Sequence, residues 1–168
     1  MEDIFFKPPS AYELKDFRLW RMVLSPTQWQ SCKVPVKLVW RSVKFHPGNA
    51  TRIPEDARGV YTFVVKPGIA DHPSCSYLMY VGKAEKQVLR DRFRQYVAEK
   101  TKGEKSRRPH VTEMLLKWEG FLWFYYAEIP NKTKIKTVED ELLAAYLPPS
   151  NRTFPSRIRG AIARLFAH

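Results

Sequence analysis

Hydrophobic residues change their spacing along the chain, and the spacing separates strands from helices. β-Branched and aromatic residues fill 60–66 (VYTFVVK) and 76–81, with a loop rich in Pro, Gly, Asp and His between them. Such runs are typical of strands, so the pair predicts an antiparallel hairpin. The aromatic run at 121–129 (FLWFYYAEI) predicts a third strand, because an exposed helix would not carry so many aromatic side chains.

Four further segments have helical spacing. Apolar residues fall on one face between 86 and 100, and they repeat at three and four between 111 and 118. Thr137 is predicted to cap a helix that runs to about Tyr146, and Ser156 to begin a last helix. The order β–β–α–α–β–α–α predicts an α/β (α+β) fold, in which a small central three-stranded antiparallel sheet is flanked by helices.

The loop at 46–59 (HPGNATRIPEDARG) marks the clearest boundary, because its prolines and glycines interrupt any regular element. It predicts an N-terminal mixed extension at 1–58 and a main domain at 59–168. Within the extension, 12–24 favours a helix and 36–45 a strand. Its three tryptophans (20, 29 and 40) are interpreted as core that docks the extension. Fold completion, dimerisation and DNA contact all stay open as its role.

Composition narrows the function classes. With 44% hydrophobic and 14% aromatic residues, the 168-residue chain can bury a core, which excludes a disordered protein. The formal net charge of +12 predicts an anionic partner, nucleic acid first and a membrane surface second. No apolar run approaches ~18 residues, and the first ten residues carry acids and prolines, so a cytoplasmic location is expected. The two cysteines are too few for a disulfide scaffold or a zinc cage.

Five short motifs follow one another in order. They are GVY at 59–61, YVGKA at 80–84, RFRQY at 92–96, Glu139 within EDELLAAY, and PPSN at 148–151. Two tyrosines on neighbouring strands are ordinary core when taken alone, and each motif is weak without the others. As an ordered set, they resemble the GIY-YIG nuclease domain, whose members include a subunit of bacterial nucleotide excision repair, homing endonucleases and some restriction enzymes. The resemblance covers about half of the chain.

The resemblance implies a role for each matched residue. It makes Tyr61 a candidate general base and places Tyr80 in the lining of the active site. It makes Arg92 the phosphate contact and Glu139 the ligand of one ion per site, Mg²⁺ or Mn²⁺. The other implied catalytic residues are Lys83, Tyr96 one helical turn after Arg92, and Asn151, which closes the site. Structural roles fall to Gly59, Gly82 and Pro148.

Two departures from the family pattern affect this assignment. Eighteen residues separate Tyr61 from Tyr80, more than in compact members. The stretch between Lys83 and Arg92 is about two residues longer than in the repair enzymes, which leaves Arg90 as a rival for the catalytic arginine. Arg92 is preferred, because it keeps the one-turn spacing to Tyr96.

The chemistry of phosphodiester hydrolysis agrees with these residue types. The reaction needs a deprotonated water, neutralised charge on the phosphate and a stabilised leaving oxygen. One carboxylate can hold one hard divalent ion, whereas a tyrosine, with its pKa of ~10, must be made more acidic by nearby cations to act as a base near neutrality. Glu139 could instead be an acid that favours a helix N terminus. Asp140 and Glu141 could share the ion, although helical spacing is expected to turn them away.

Basic residues are concentrated beside the motifs. Residues 83–108 hold ten Lys and Arg against four Asp and Glu, and KTKGEKSRRPH within them predicts a mobile basic loop, with a solvated face as the plainer alternative. Contacts to nucleic acid are predicted for Arg90, Arg94, Lys102, Lys105, Arg107, Arg108, Arg152 and Arg157. The four histidines (46, 72, 110 and 168) are scattered and match no ligand motif.

The sequence therefore predicts a stand-alone, metal-dependent endonuclease acting on DNA, cutting without a covalent intermediate to leave a 5′-phosphate. Restriction, genome defence, repair or a mobile element are pathways suggested by family analogy alone. The alternatives are a non-cleaving nucleic-acid-binding module on the same fold and a ribonuclease. A peripheral membrane protein is disfavoured, because no basic amphipathic helix has a wide apolar face. A homodimer would explain cutting of both strands, as would a second encounter or reorientation on the duplex.

Overall fold

The centre of the fold is one antiparallel sheet. The structure, a computed structural model, describes residues 20–72 and 75–165. The strands of the sheet are β1 (Trp40–Lys44), β2 (Gly59–Val65), β3 (Tyr77–Ala84) and β4 (Leu122–Glu128), in the spatial order β1-β4-β2-β3. The prediction of a mixed α/β fold with an antiparallel sheet is confirmed. The sheet has four strands rather than the predicted three, because β1, from the predicted N-terminal extension, pairs with β4.

The helices cover both faces of the sheet. They are α1 (Pro26–Ser31), α2 (Leu89–Lys102), α3 (Pro109–Lys117), α4 (Lys132–Tyr146) and α5 (Ser156–Leu165). On one face Phe63 packs with Phe93 of α2 and Met114 of α3; on the other, Val60 packs with Leu142 of α4. Both faces of β2 are therefore buried, which makes β2 the central strand of the core.

The cap of helix α4 lies six residues before the predicted cap at Thr137. The Asn131 side chain caps the helix instead, accepting a hydrogen bond from the backbone N–H of Thr133 at 3.1 Å. The helix ends where Leu147 adopts a left-handed conformation with φ 47°. Glu139 consequently lies in the middle of α4, and not at its N terminus, where the helix dipole alone would favour an acid.

Of the predictions for the N-terminal extension, the strand at 36–45 is confirmed by β1, whereas the predictions for the helix and the tryptophans are not all confirmed. Most of the predicted helix at 12–24 lies outside the described residues, and 20–24 has no helical structure. Trp20 packs against the core 6.1 Å from the Trp118 ring. Trp29 and Trp40 are 48% and 37% exposed, so their assignment to the core is wrong. Within 20–72 and 75–165, no helix is both long and apolar enough to cross a membrane.

Candidate active site

A cavity of about 660 Å³ lies between β3, the start of α3, α4 and the segment that joins α4 to α5. We call it the cleft. Its charged walls are Lys83, Arg108, Lys136, Arg152 and Arg159 against Glu139 and Asp140. An excess of cations on the walls of a concave site concentrates the positive potential there, so the cleft favours an anionic ligand.

An ion pair crosses the cleft from β3 to α4. Lys83 Nζ lies 3.0 Å from Glu139 Oε2, and the Glu139 side chain is 16% exposed. Burial raises the pKa of the Glu139 carboxyl above its ordinary value, and the hydrogen bond and charge of Lys83 oppose that rise. A desolvated carboxylate of this kind gains from a second cation that replaces lost hydration.

Three tyrosines from different elements form one cluster beside the cleft. The Tyr61 and Tyr96 hydroxyls are 2.9 Å apart, and both side chains are about 1% exposed. Tyr80, with its ring centroid 6.5 Å from that of Tyr61, is the member that lines the cleft. Burial raises the pKa of all three phenols above their ordinary value. Tyr61, the residue implied as general base, is buried behind Tyr80 and does not line the cleft.

Two of the predicted structural glycines allow close packing. A Cβ on Gly82 would lie 2.5 Å from the ring carbon Cζ and from the hydroxyl of Tyr61. A Cβ on Gly59 would lie 2.0 Å from the carbonyl oxygen of Ala127 on β4. Any larger residue at these positions would displace the buried tyrosine or the neighbouring strand.

Asn151 connects the segment after α4 to the outer edge of β3. Its side chain accepts a hydrogen bond from the Val81 N–H and donates one to the Val81 carbonyl, both at 2.9 Å. The Ser150 N–H adds a third bond, to Met79 O at 2.9 Å, and the turn is closed by Asn151 N donating to Pro148 O at 3.1 Å. Asn151 therefore extends the sheet with its own side chain and forms one wall of the cleft.

The rival arginines of α2 have different surroundings. Arg90 donates to Ile53 O at 2.7 Å, pairs with Glu55, and has a side chain only 13% exposed, so it joins α2 to the preceding turn and not to the cleft. Arg92 donates from Nε to Lys83 O at 3.3 Å and from Nη1 to Gln95 Oε1 at 3.2 Å. Arg92 thus supports the strand that carries Lys83 and is not among the residues that line the cleft.

The predicted nucleic-acid contacts divide into two groups. Arg108 and Arg152 line the cleft. The rest lie elsewhere: Arg90 as above, Arg94 paired with Asp91, Lys102 with Glu99, Arg157 with Glu141, and Lys105 and Arg107 exposed after α2. The predicted basic loop is short, since α2 continues to Lys102 before a single 3₁₀ turn.

Some cleft residues were missed by the sequence analysis. His110 lines the cleft, where burial and the charges of Arg152 and Arg108 lower the pKa of its imidazole. Asp140, expected to turn away, also lines it and bonds Lys136 at 2.6 Å. Glu141 does turn away, towards the Lys33 N–H. A histidine that closely follows the basic stretch before α3 was the one available signal for His110.

The donor set limits the kind of metal site that the cleft could form. Throughout 20–72 and 75–165, no three His, Cys, Asp or Glu side chains come together as a metal cage. Glu139, with Asp140 next to it, is nevertheless the kind of site that Mg²⁺ uses when waters and substrate phosphates supply its remaining ligands. The residues therefore fit an ion that binds together with a phosphate substrate.

A second cavity of about 470 Å³ adjoins the cleft and shares Asn151, Arg152, Phe154 and Arg159 with it. Its other walls are largely apolar and include Trp20.

Comparison of the chain with protein families, curated proteins and solved structures finds no match to any of them. The chemistry of the site is therefore inferred from its own groups, which combine cations for a phosphate, a desolvated carboxylate and a phenol.

Proposed function

We propose that the protein is a metal-dependent endonuclease of the GIY-YIG type that hydrolyses phosphodiester bonds in DNA. The observation that carries the proposal is the convergence of Tyr80, Lys83, Glu139 and Asn151 on one cationic cleft. These residues come from three of the five motifs and from separate elements. A shared catalytic role requires these side chains to line one cavity, whereas residues that only pack in the core have no such requirement.

The neighbouring apolar cavity supports a nucleic acid over a free phosphate. Single-stranded bases stack on aromatic side chains while the backbone follows a cationic groove. Trp20 and Phe154 offer such surfaces next to the cations of the cleft. A phosphate in the cleft could therefore keep its flanking base in the second cavity.

Each residue of the cleft has a separate role in the proposed hydrolysis. Water attacks the phosphorus and the bond to the 3′ oxygen breaks; the proton lost by the water ends on that oxygen, so the products are a 5′-phosphate and a 3′-hydroxyl. Lys83 neutralises the phosphate oxygens, while the neutral phenol of Tyr80 orients the attacking water by accepting a hydrogen bond from it. Glu139 would hold one Mg²⁺ or Mn²⁺, which supplies charge neutralisation for the leaving oxygen when bound. Asn151 holds the segment after α4 against β3 through its two hydrogen bonds to Val81.

The test compares Glu139→Gln with Glu119→Gln, a matched change at an exposed glutamate outside the cleft. Each protein is incubated with supercoiled plasmid, linear duplex, single-stranded DNA and RNA, with Mg²⁺, with Mn²⁺ and with EDTA. We expect the wild type and Glu119→Gln to cut DNA only with metal. Glu139→Gln should bind equally well and cut at least about 100-fold more slowly, a loss typical of removing an electrostatic stabiliser.

A non-cleaving nucleic-acid-binding module is the second candidate, and one observation favours it. The carboxylate that would hold the ion is already neutralised by Lys83 at 3.0 Å. Binding of DNA and RNA by both variants, with no cutting of any substrate, would establish this alternative. Cutting of RNA alone would establish a ribonuclease. Conversion of plasmid directly to linear product would support the homodimer, which stays a prediction.

A further inference from the structure

Arg108 has an unusually well-fixed backbone at the start of α3. Its N–H donates to Ser106 Oγ at 2.8 Å, and its carbonyl accepts from the N–H groups of Val111 and Thr112 at 2.9 and 3.1 Å. Ser106 in turn donates to the carboxylate of Glu99, which is 8% exposed. The turn is therefore anchored to α2 on one side and to α3 on the other, which fixes the point from which the Arg108 side chain enters the cleft.

The Arg108 side chain lies among the tyrosines. Nη2 is 3.2 Å from the Tyr80 hydroxyl and 3.3 Å from that of Tyr96, and the guanidinium carbon is 5.2 Å from the centre of the Tyr96 ring. A guanidinium carries five N–H donors in a planar fork. Within the described residues, both side-chain hydrogen bonds of Arg108 use Nη2, so Nε and Nη1 remain available to a ligand in the cleft.

Arg92 uses the donors that Arg108 leaves open. Its Nε and Nη1 groups donate to the Lys83 carbonyl and to Gln95, and the residue lies outside the lining of the cleft. The two arginines therefore differ in what they can do. Arg92 supports the end of β3, whereas Arg108 presents its Nη1 group beside Tyr80.

We propose that Arg108 is the arginine that binds the scissile phosphate, and that Arg92 is a positioning residue acting through the backbone of Lys83. The inference rests on the proposed function and specifies its phosphate site. Arginine donates charge-assisted hydrogen bonds to phosphate oxygens from a planar group of fixed geometry, which a lysine does not have. Binding through Nη1 would place the phosphate next to the Tyr80 hydroxyl that accepts from Nη2.

The kinetic test uses Arg108→Ala, Arg108→Lys and Arg92→Lys, with Arg52→Ala as an exposed control outside the cleft. Single-turnover cleavage is measured with Mg²⁺, and DNA affinity with Ca²⁺ on the same duplex. Arg108→Ala should slow cleavage by roughly 100- to 1,000-fold while weakening affinity by less than about 10-fold. Arg108→Lys should recover only part of the rate. Arg92→Lys should stay within about 10-fold of the wild type, and Arg52→Ala should match it.

Two results would overturn the assignment: an Arg108→Lys enzyme as fast as the wild type, or a large rate loss in Arg92→Lys without one in Arg108→Lys. Because Arg108→Lys keeps the charge, it decides the question even if Arg108→Ala misfolds.

A binding measurement separates this inference from the proposed nuclease activity. A 5′-phosphorylated dinucleotide is titrated into each variant by calorimetry, and the result does not depend on cleavage. If the wild type cuts nothing, the proposed function fails, but Arg108 can still be judged. Dinucleotide affinity at least about 10-fold weaker in Arg108→Lys than in Arg52→Ala supports the phosphate site. Equal affinities reject it.

Discussion

At the scale of single residues, His110 gives the wall of the cleft an imidazole whose protonation depends on its charged neighbours. Burial, followed by the charges of Arg152 and Arg108, lowers the pKa of the imidazole below its ordinary value of ~6.5. The imidazole is therefore neutral at pH 7. A phosphate bound beside these cations would add negative charge and favour the protonated ring, which raises its pKa again.

Binding of a phosphate ligand should consequently take up a proton. Dinucleotide affinity is expected to increase as the pH falls from 7 towards 5, because the ligand-bound state holds the proton more tightly. His110→Gln should remove most of this increase, whereas His46→Gln, at an exposed histidine outside the cleft, should keep it. Calorimetry in buffers of different ionisation enthalpy measures the proton uptake. Identical uptake in the two variants would contradict the role of His110.

The buried tyrosines predict alkaline instability. Burial raises the pKa of Tyr61 and Tyr96 in the folded protein above the value of ~10 in the unfolded chain. Their contribution to stability is therefore complete below pH ~10 and is lost as the pH rises further, since only the unfolded chain then releases the protons.

Tyr96→Phe should reduce that loss while costing stability at neutral pH. Removal of the 2.9 Å hydrogen bond to Tyr61 is expected to lower the free energy of unfolding by about 1–2 kcal/mol at pH 7. Between pH 10 and 11, the variant should lose on the order of 1 kcal/mol less than the wild type, because one fewer phenol ionises when the chain unfolds. Urea unfolding at pH 7, 10 and 11 measures both effects. Parallel losses in the two proteins would be inconsistent with a buried, neutral Tyr96.

At the scale of elements, the hairpin of β2 and β3 depends on a missing side chain. Gly82→Ala would bring a methyl group within 2.5 Å of Tyr61, and overpacking of this kind typically costs about 1–3 kcal/mol. Gly160→Ala is the matched control, because nothing lies within 4 Å of its added Cβ and alanine favours a helix. Thermal unfolding should show a destabilised Gly82→Ala and an unchanged or stabilised Gly160→Ala. Equal midpoints would contradict the packing described for Tyr61.

Elements with a strong local pattern could be predicted from the sequence, whereas their partners could not. The runs of β-branched and aromatic residues identified β2, β3 and β4, because these residue types are enriched in strands. The pairing of β1 with β4 joins residues some 80 positions apart, and no local pattern encodes it. The start of α4 was missed because its first turn is polar, although Asn131 is a residue type that favours the cap position.

The same limit applies to the cleft. The motifs located Tyr80, Lys83, Glu139 and Asn151, because their order and spacing are visible along the chain. The position of Arg108 depends on how α3 turns back after α2, through the bond from Ser106 to Glu99. Spacing alone therefore could not distinguish Arg108 from the other arginines of this basic stretch.

At the scale of the whole molecule, the net charge of +12 should make nucleic-acid binding sensitive to salt. Each phosphate neutralised contributes about −0.9 to the slope of log K against log salt for duplex DNA. Arg152→Ala, in the wall of the cleft, should make the slope shallower by about one such step. Arg41→Ala, on β1 at the opposite edge of the sheet, should leave it unchanged. Fluorescence anisotropy between 50 and 300 mM KCl tests this, and equal slopes would place the DNA elsewhere.

The hydrogen bonds of Asn151 to Val81 and of Ser150 to Met79 also affect self-association of the protein. They occupy outward-facing backbone groups of β3, a terminal strand of the sheet. An uncovered strand of this kind is a template for pairing with another chain, and so for aggregation. Substitution of Asn151 would therefore leave backbone groups of the edge strand β3 unpaired and would also alter the cleft. Glu139→Gln, which leaves these bonds in place, is therefore the better variant for testing the proposed activity.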